Sequence, residues 1–277
     1  MIDETIEEIR EMQTHSSSVV AIKAARAIAT ITEREAATVE EYIRDLERNS
    51  NALRRANSSH ATLYTTQRTI IDTVTEADPE TVEQAKQLTM ETVESVIEQV
   101  ETAKRHAAEN GAEWLENGMT ILTHDYSSTV LEAIELAASN GVHMTVYVTE
   151  ARPRYLGRKT ARVLAAMDRI EPHLIADSAS GHVLSECDRV VFGMDCIVGD
   201  TLYNRIGTFP IAATAAQLDV SVMVVGSGAK IIEDGFVFEN EYRSASEVMR
   251  EPAEGFAIEN PAYDATPVEL VQKVITD

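Results

Sequence analysis

Asp195, Asn204 and Arg205 are the residues of this chain whose types and spacing could do chemistry together. They fall within 189–208, Arg-Val-Val-Phe-Gly-Met-Asp-Cys-Ile-Val-Gly-Asp-Thr-Leu-Tyr-Asn-Arg-Ile-Gly-Thr. The apolar run Val190 to Phe192 predicts a buried strand that delivers Asp195 at or just past its end. A Gly199-Asp200 turn follows, and Asn204-Arg205-Ile206-Gly207-Thr208 is expected to lead into a new helix. Carboxylate, amide and guanidinium then meet at the carboxyl end of a strand, where open α/β sheets hold their ligands.

Other strand ends add to this set. Ser127 and Ser128 open an Ala/Leu-rich helix whose backbone donors could hold a phosphate, although taken alone these residues are better read as simple N-caps. In Glu150-Ala151-Arg152-Pro153-Arg154 a proline-stiffened turn presents two guanidiniums, suited to clamping an anion or to pairing at the surface. Lys230, after Gly226-Ser227-Gly228-Ala229, is a further cation at the same rim. Cys196 neighbours Asp195 on a strand and therefore points to the opposite face, into the core. The seven His show neither metal-ligand spacing nor a Ser/His/Asp order, so no metal and no cofactor is expected.

These residues need a frame. Up to Trp114 the apolar residues recur at helical spacing: Ile2, Ile6 and Ile9; Val19 to Ile28, capped within Ser16–Ser18; Val39 to Leu46; Leu63 to Ile70; and Val82 to Val100. Residues 1–115 are read as a helical domain. From 116 to 277 the period changes, and five short apolar runs appear at Thr120–Thr123, Val142–Val148, Leu174–Ala176, Val190–Phe192 and Val222–Val225. Helical patterns between them, including Phe209 to Leu218, predict a Rossmann-like, doubly wound parallel sheet. The strand ends at His124-Asp125, Thr149-Glu150, Asp177-Ser178, Asp195 and Gly226-Ser227 should then line one crevice. A short helix near Val268 to Val274 is expected to close the chain.

Composition narrows the partners. With 46 acidic and 24 basic residues the formal charge is −22, and only Lys23, Lys86, Lys104, Lys159, Lys230 and Lys273 are lysines. That surface fits a halophilic protein and repels both phosphate backbones and anionic lipid, so neither direct nucleic-acid nor membrane binding is expected. Two cysteines make no disulfide framework, and no leader or spanning segment is evident, so the expectation is a cytoplasmic protein.

Thr149-Glu150-Ala151-Arg152-Pro153, Gly193-Met194-Asp195-Cys196-Ile197, Gly199-Asp200 and Asn204-Arg205-Ile206-Gly207-Thr208 together resemble the signature of one family. It joins the alpha, beta and delta subunits of translation initiation factor 2B to methylthioribose-1-phosphate isomerase and ribose-1,5-bisphosphate isomerase. Its usual forms are Glu-Thr/Ser-Arg/Gln-Pro, Gly-Ala-Asp/Glu-x-Ile/Val and Asn-Lys-Ile-Gly-Thr. The resemblance implies that Asp195 holds the position of an aspartate that carries proton transfers, and Asn204 and Arg205 that of a substrate-binding Asn-Lys pair. The position of the isomerases' catalytic Cys falls on Asp125, within Thr123-His124-Asp125-Tyr126-Ser127, which is closer to the regulatory subunits' Thr-His-Ser/Ala-Tyr-Ser. Their N-terminal Arg-Gly-Ala element is replaced by His15-Ser16-Ser17-Ser18.

On these departures the sequence predicts a non-catalytic regulatory protein resembling the factor 2B alpha-type subunits. It would be a homo-oligomer, with a translation-factor component as a further partner. Its ligand would be a sugar phosphate or nucleoside monophosphate, held by Tyr126, Ser127, Arg152, Asn204, Arg205 and Lys230. The alternative is a ribose-1,5-bisphosphate isomerase with Asp125 and Asp195 as the acid–base pair, two carboxylates able to share a proton and titrate apart. A third reading is a scaffold with a vestigial pocket.

Overall fold

The computed structural model describes residues 2–10, 17–233, 235–251 and 254–277. The chain divides into two compact units, Met1–Ala103 and Lys104–Asp277. The first is helical: α1 Ile2–Arg10, α2 Ser17–Ala29, α3 Val39–Ala56, α4 Ala61–Glu76 and the start of α5 Val82–Ala112. Helix α3 shows how local sequence sets these boundaries. The Thr38 hydroxyl accepts from the Glu41 amide and the Glu41 carboxylate from the Ala37 amide, while Arg54 and Arg55 close the last turn. Ile28, Leu46, Leu53, Leu63 and Ile70 are sealed in the core, as their spacing requires. Of the residues expected to cap α2, Ser17 is the first helical residue and Ser16, with His15, lies outside the described residues.

The second unit carries the parallel sheet. Its strands are β1 Thr120–Thr123, β2 Met144–Thr149, β3 Ile170–Ile175, β4 Arg189–Phe192, β7 Ser221–Val225 and β10 Lys273–Ile275, in the order β10-β7-β4-β1-β2-β3. Every pairing in it is parallel. Its helices are α6 Ser128–Ser139, α7 Leu156–Leu164, the single turn α8 Ser180–Val183 and α9 Thr208–Gln217. Strand order reverses between β1 and β4, which is the point where such sheets open a crevice beyond their carboxyl ends. Asp125 follows β1 and Asp195 follows β4, so both acids stand at that opening.

A second, four-stranded sheet was not foreseen: β5 Cys196–Val198, β6 Thr201–Arg205, β8 Ile231–Ile232 and β9 Tyr263–Pro267, in the order β8-β5-β6-β9. Gly199, at φ 57°, turns β5 back onto β6 as an antiparallel hairpin with Cys196 opposite Tyr203. Asn204 and Arg205 therefore end β6, the expected helix follows as α9 from Thr208, and the register returns the pair to Asp195. The helix expected at Val268 to Val274 is also corrected, to a 3-10 turn at Val268–Leu270 and the edge strand β10. Val271, Val274 and Ile275 supply that strand's apolar contacts with the sheet. Among the described residues no helix is long and apolar enough to cross a membrane.

Where α7 begins, the chain runs hard against the end of β2. A Cβ at Gly157 would sit on the carbonyl oxygen of Thr149. We expect Gly157→Ala to cost about 1–3 kcal/mol, the usual range for overpacking, as read from urea unfolding. An unchanged midpoint would show that α7 can move away freely.

Candidate active site

Three ionisable side chains meet at the β1/β4 crevice. The Arg205 Nε lies 3.4 Å from Asp195 Oδ2 and 3.9 Å from Asp125 Oδ2. Both distances exceed those of a charge-assisted hydrogen bond, so the guanidinium is shared between two acids and forked onto neither. Its side chain is only 16% exposed and stacks over the Tyr263 ring with Cζ 4.8 Å from the centroid. Burial works against the Arg205 charge, but Asp195, Tyr263 and Asp125 more than offset it and hold its pKa above the ordinary value. Tyr263, from β9, is itself pushed up by burial and has no sequence signal that pointed to the site.

Asp125 occupies left-handed backbone, at φ 62°. Aspartate tolerates this conformation better than most residues, because its short side chain bonds locally. Its Oδ1 accepts from the Tyr126 amide at 2.8 Å, and the Asp125 carbonyl accepts from the Thr160 hydroxyl of α7 at 2.6 Å. The residue is 8% exposed. Burial raises the Asp125 pKa against the opposing pull of Arg205 and His124, with Asp195 adding to the rise. Burial thus raises Asp125 beside a second acid, Asp195, that shares the same cation.

The surrounding residues fix this geometry. Neighbouring His124 is fully engaged: its Nε2 donates to the Ile206 carbonyl at 2.7 Å, which leaves Nδ1 to accept from the Thr149 hydroxyl. Asn204 is buried and donates to the Thr208 hydroxyl at 3.0 Å; that hydroxyl donates in turn to the Arg205 carbonyl. Asp264 accepts from the amides of Gly207 and Phe209, so the start of α9 already holds a carboxylate. Cys196 lies in the core as expected, and burial pushes its thiol up to about 12; Cys187 is pushed up to about 11. Neither thiol stands in for the cysteine that the resemblance implies at position 125. Among the described residues no cluster of His, Cys, Asp and Glu could hold a metal ion.

Asp125, Asp195 and Arg205 come together, Tyr126 and Ser127 adjoin them on the loop after β1, and Asn204, beside Arg205 on β6, turns its amide to Thr208. Ser127 caps α6, its hydroxyl accepting from the Val130 amide at 3.3 Å. Tyr126 is half-buried beneath Lys159, whose Nζ is 3.9 Å from the ring centroid. Lys230 turns to the Met194 carbonyl at 2.7 Å. Arg152 is exposed and reaches outward to the Val248 carbonyl, whereas Arg154 is half-buried and lies within the fields of Arg205, Arg243 and Asp125. Asp177 accepts from the backbone amides of Ala151 and Arg152 and so shapes that turn. The Glu150 carboxylate is paired with Arg158.

Comparison with known proteins places this arrangement in a family. The model of the Initiation factor 2 subunit family matches residues 13–277, and the chain belongs to that family. It is 32% identical over 280 residues to a ribose 1,5-bisphosphate isomerase of Archaeoglobus fulgidus, covering 99% of this chain and 87% of that one. A Haloferax volcanii protein of the same name is 29% identical, with 99% and 86% covered. The crystal structure of the Pyrococcus horikoshii OT3 translation initiation factor eIF-2B superposes with a TM-score of 0.81 at 26% identity, covering 99% and 94%. These relatives overturn the expectation of a non-catalytic regulator, since full-length relatives at this similarity are named as enzymes. That expectation took the loss of the thiol as loss of the acid–base pair; the crevice instead keeps two carboxylates about one guanidinium.

Because the folded protein keeps the Asp125 proton to higher pH than the unfolded chain, stability falls as pH rises from about 4, the ordinary aspartate value, through the raised one. Asp125→Asn removes this loss. Its melting-temperature advantage over the parent should grow from acidic to alkaline pH, whereas parallel melting curves would show that Asp125 titrates normally.

Proposed function

We propose that this protein is a sugar-phosphate isomerase of the aldose–ketose type, acting on ribose 1,5-bisphosphate. The observation that carries the reading is the pair of carboxylates, Asp125 and Asp195, held apart by Arg205 at the switch point of the sheet. The isomerase name of the full-length relatives supports the substrate.

Converting a 1-phosphorylated aldofuranose to a ketose requires three changes: the ring oxygen gains a proton, one hydrogen moves from C2 to C1, and the C2 hydroxyl loses its proton. Asp125, whose pKa burial raises, is the acid for the ring oxygen. Asp195, paired with Arg205, is the base that takes the C2 hydrogen as a proton and returns it to C1. The C2 hydroxyl proton then restores Asp125, so both carboxyls end as they began. Arg205 faces the oxygen on which negative charge builds in the enediol-like intermediate, where a buried cation is most effective. Asn204 orients the C2 and C3 hydroxyls.

A phosphate is assigned to the start of α6. This twelve-residue helix begins beside Asp125, and its cap Ser127 is neutral, so its first-turn amides face the ligand without a competing carboxylate. At α9 Asp264 takes that role from the protein side. Arg154 supplies positive charge on the opposite wall, in place of the outward-facing Arg152. We further assign the protein to saline surroundings from its charge of −22, and to a homo-oligomer from Val237, Tyr242 and Phe256, which are 80%, 67% and 56% exposed.

In molar salt the purified protein should convert ribose 1,5-bisphosphate to ribulose 1,5-bisphosphate. Asp195→Asn should lower kcat by about a thousandfold and Asp125→Asn by about a hundredfold, each with the substrate still bound. Restoring the family thiol with Asp125→Cys should keep turnover and move the alkaline limb of the pH profile toward the thiol range. Absence of turnover in the parent protein, with tight binding of the bisphosphate, refutes the reading.

A further inference from the structure

Arg205 ends β6 directly opposite Tyr263 at the start of β9, and residues paired across an antiparallel ladder share one face of the sheet. That pairing is why the guanidinium lies over the phenol ring, with Cζ 4.8 Å from its centroid. Three carboxylates from three segments of the chain, Asp195, Asp125 and Glu241, act on the same cation. The contacts to Asp195 and Asp125, at 3.4 and 3.9 Å, are both longer than a charge-assisted hydrogen bond. Attraction at such distances sets no orientation. A planar guanidinium stacked on an aromatic face has one.

The ring is held on its other sides. Phe238, between β8 and β9, meets it edge-on, with centroids 5.2 Å apart and planes at 87°. Phe238 stacks in turn on Tyr203, centroids 4.0 Å apart, and so is anchored to the strand that carries Arg205. Asn240 fastens the backbone: its Nδ2 donates to the Tyr263 carbonyl at 2.9 Å, and its Oδ1 accepts from the Tyr263 amide at 3.2 Å. Tyr263 is 2% exposed. A ring so confined offers Arg205 a fixed surface.

We propose that Tyr263 is a positioning residue: the face of its ring fixes the Arg205 guanidinium between Asp125 and Asp195, and its hydroxyl is not a substrate contact. The inference rests on the isomerase reading for its kinetic consequence alone; the geometry it asserts is independent of turnover. It also accounts for the two long contacts. A cation drawn flat onto a ring can serve two acids at once, whereas one free to turn would fork onto one of them.

The test compares Tyr263→Leu with Tyr263→Phe, by steady-state kinetics with ribose 1,5-bisphosphate and by the NMR signal of the Arg205 Nε proton, assigned through its loss in Arg205→Met. Protons over an aromatic face are shifted upfield by the ring current, so Tyr263→Leu should move this signal downfield. The same variant should lower kcat about tenfold to a hundredfold, the scale of a misplaced catalytic group. Tyr263→Phe, which keeps the ring and drops the hydroxyl, should recover most of both effects. If Tyr263→Phe is instead as impaired as Tyr263→Leu, with the Arg205 signal in place, the hydroxyl is a substrate contact and the inference is overturned. A signal that Tyr263→Leu leaves unmoved overturns it whatever the kinetics, and so does an unchanged kcat where the parent turns over the bisphosphate. A shift reversed by Tyr263→Phe, in a protein that never turns over the bisphosphate, upholds the platform and refutes the isomerase reading instead. Should Tyr263→Leu fail to fold, Tyr263→Phe carries the test: it must keep the parent's Arg205 signal and most of its kcat, and loss of either overturns the inference.

Discussion

One guanidinium shared by two carboxylates sets the character of this protein. A buried acid is costly unless something stabilises its charge or its proton. Arg205 pairs with Asp195 and opposes the rise that burial imposes on Asp125, without closing on either, and the β5–β6 hairpin brings it there. Asp264 then tethers the loop after Arg205, Thr208 accepts from Asn204, and His124 is pinned between Thr149 and Ile206. Each of these contacts fixes backbone within a few residues of a charged group. The crevice is rigid at its base because its polar groups bond to one another.

Replacement of a thiol by a carboxylate at position 125 fits the backbone it occupies. A left-handed residue between β1 and α6 suits aspartate, whose own Oδ1 satisfies the next amide. The exchange adds a negative charge in principle, but burial raises the pKa of that group and so opposes the charge that would meet an anionic sugar phosphate. A thiol and a protonated carboxyl share the property that matters, a proton available in a dry site. They differ in reach and in the pH at which that proton is lost.

Much of this was legible in the sequence. Val190 to Phe192 and Asp195 stand as the strand and strand-end acid that their types suggested, because apolar runs flanked by turn residues have few other solutions. The family signature led to Asn204 and Arg205, but not to their strand. With β5 of three residues and β6 of five, neither is long enough to show an alternating pattern, and their pairing depends on β9, which is some sixty residues away. Strand β10 was misread for the same reason. Arg152 and Arg154 could not be told apart by type; only the turn set by Asp177 decides that one faces outward and the other inward. Tyr263 reaches the site from β9, a strand that no pattern in the sequence had marked.

The central claim is that Arg205 couples the buried Asp125 to the partly buried Asp195, and urea unfolding of combined variants tests it most directly. Arg205→Met alone should lose roughly 3–5 kcal/mol, the scale for stranding a buried charge. Adding Asp125→Asn and Asp195→Asn to it should then recover stability, since the stranded charges are gone. If the added substitutions lower stability further by their own separate amounts, the three residues are not coupled and the account is wrong.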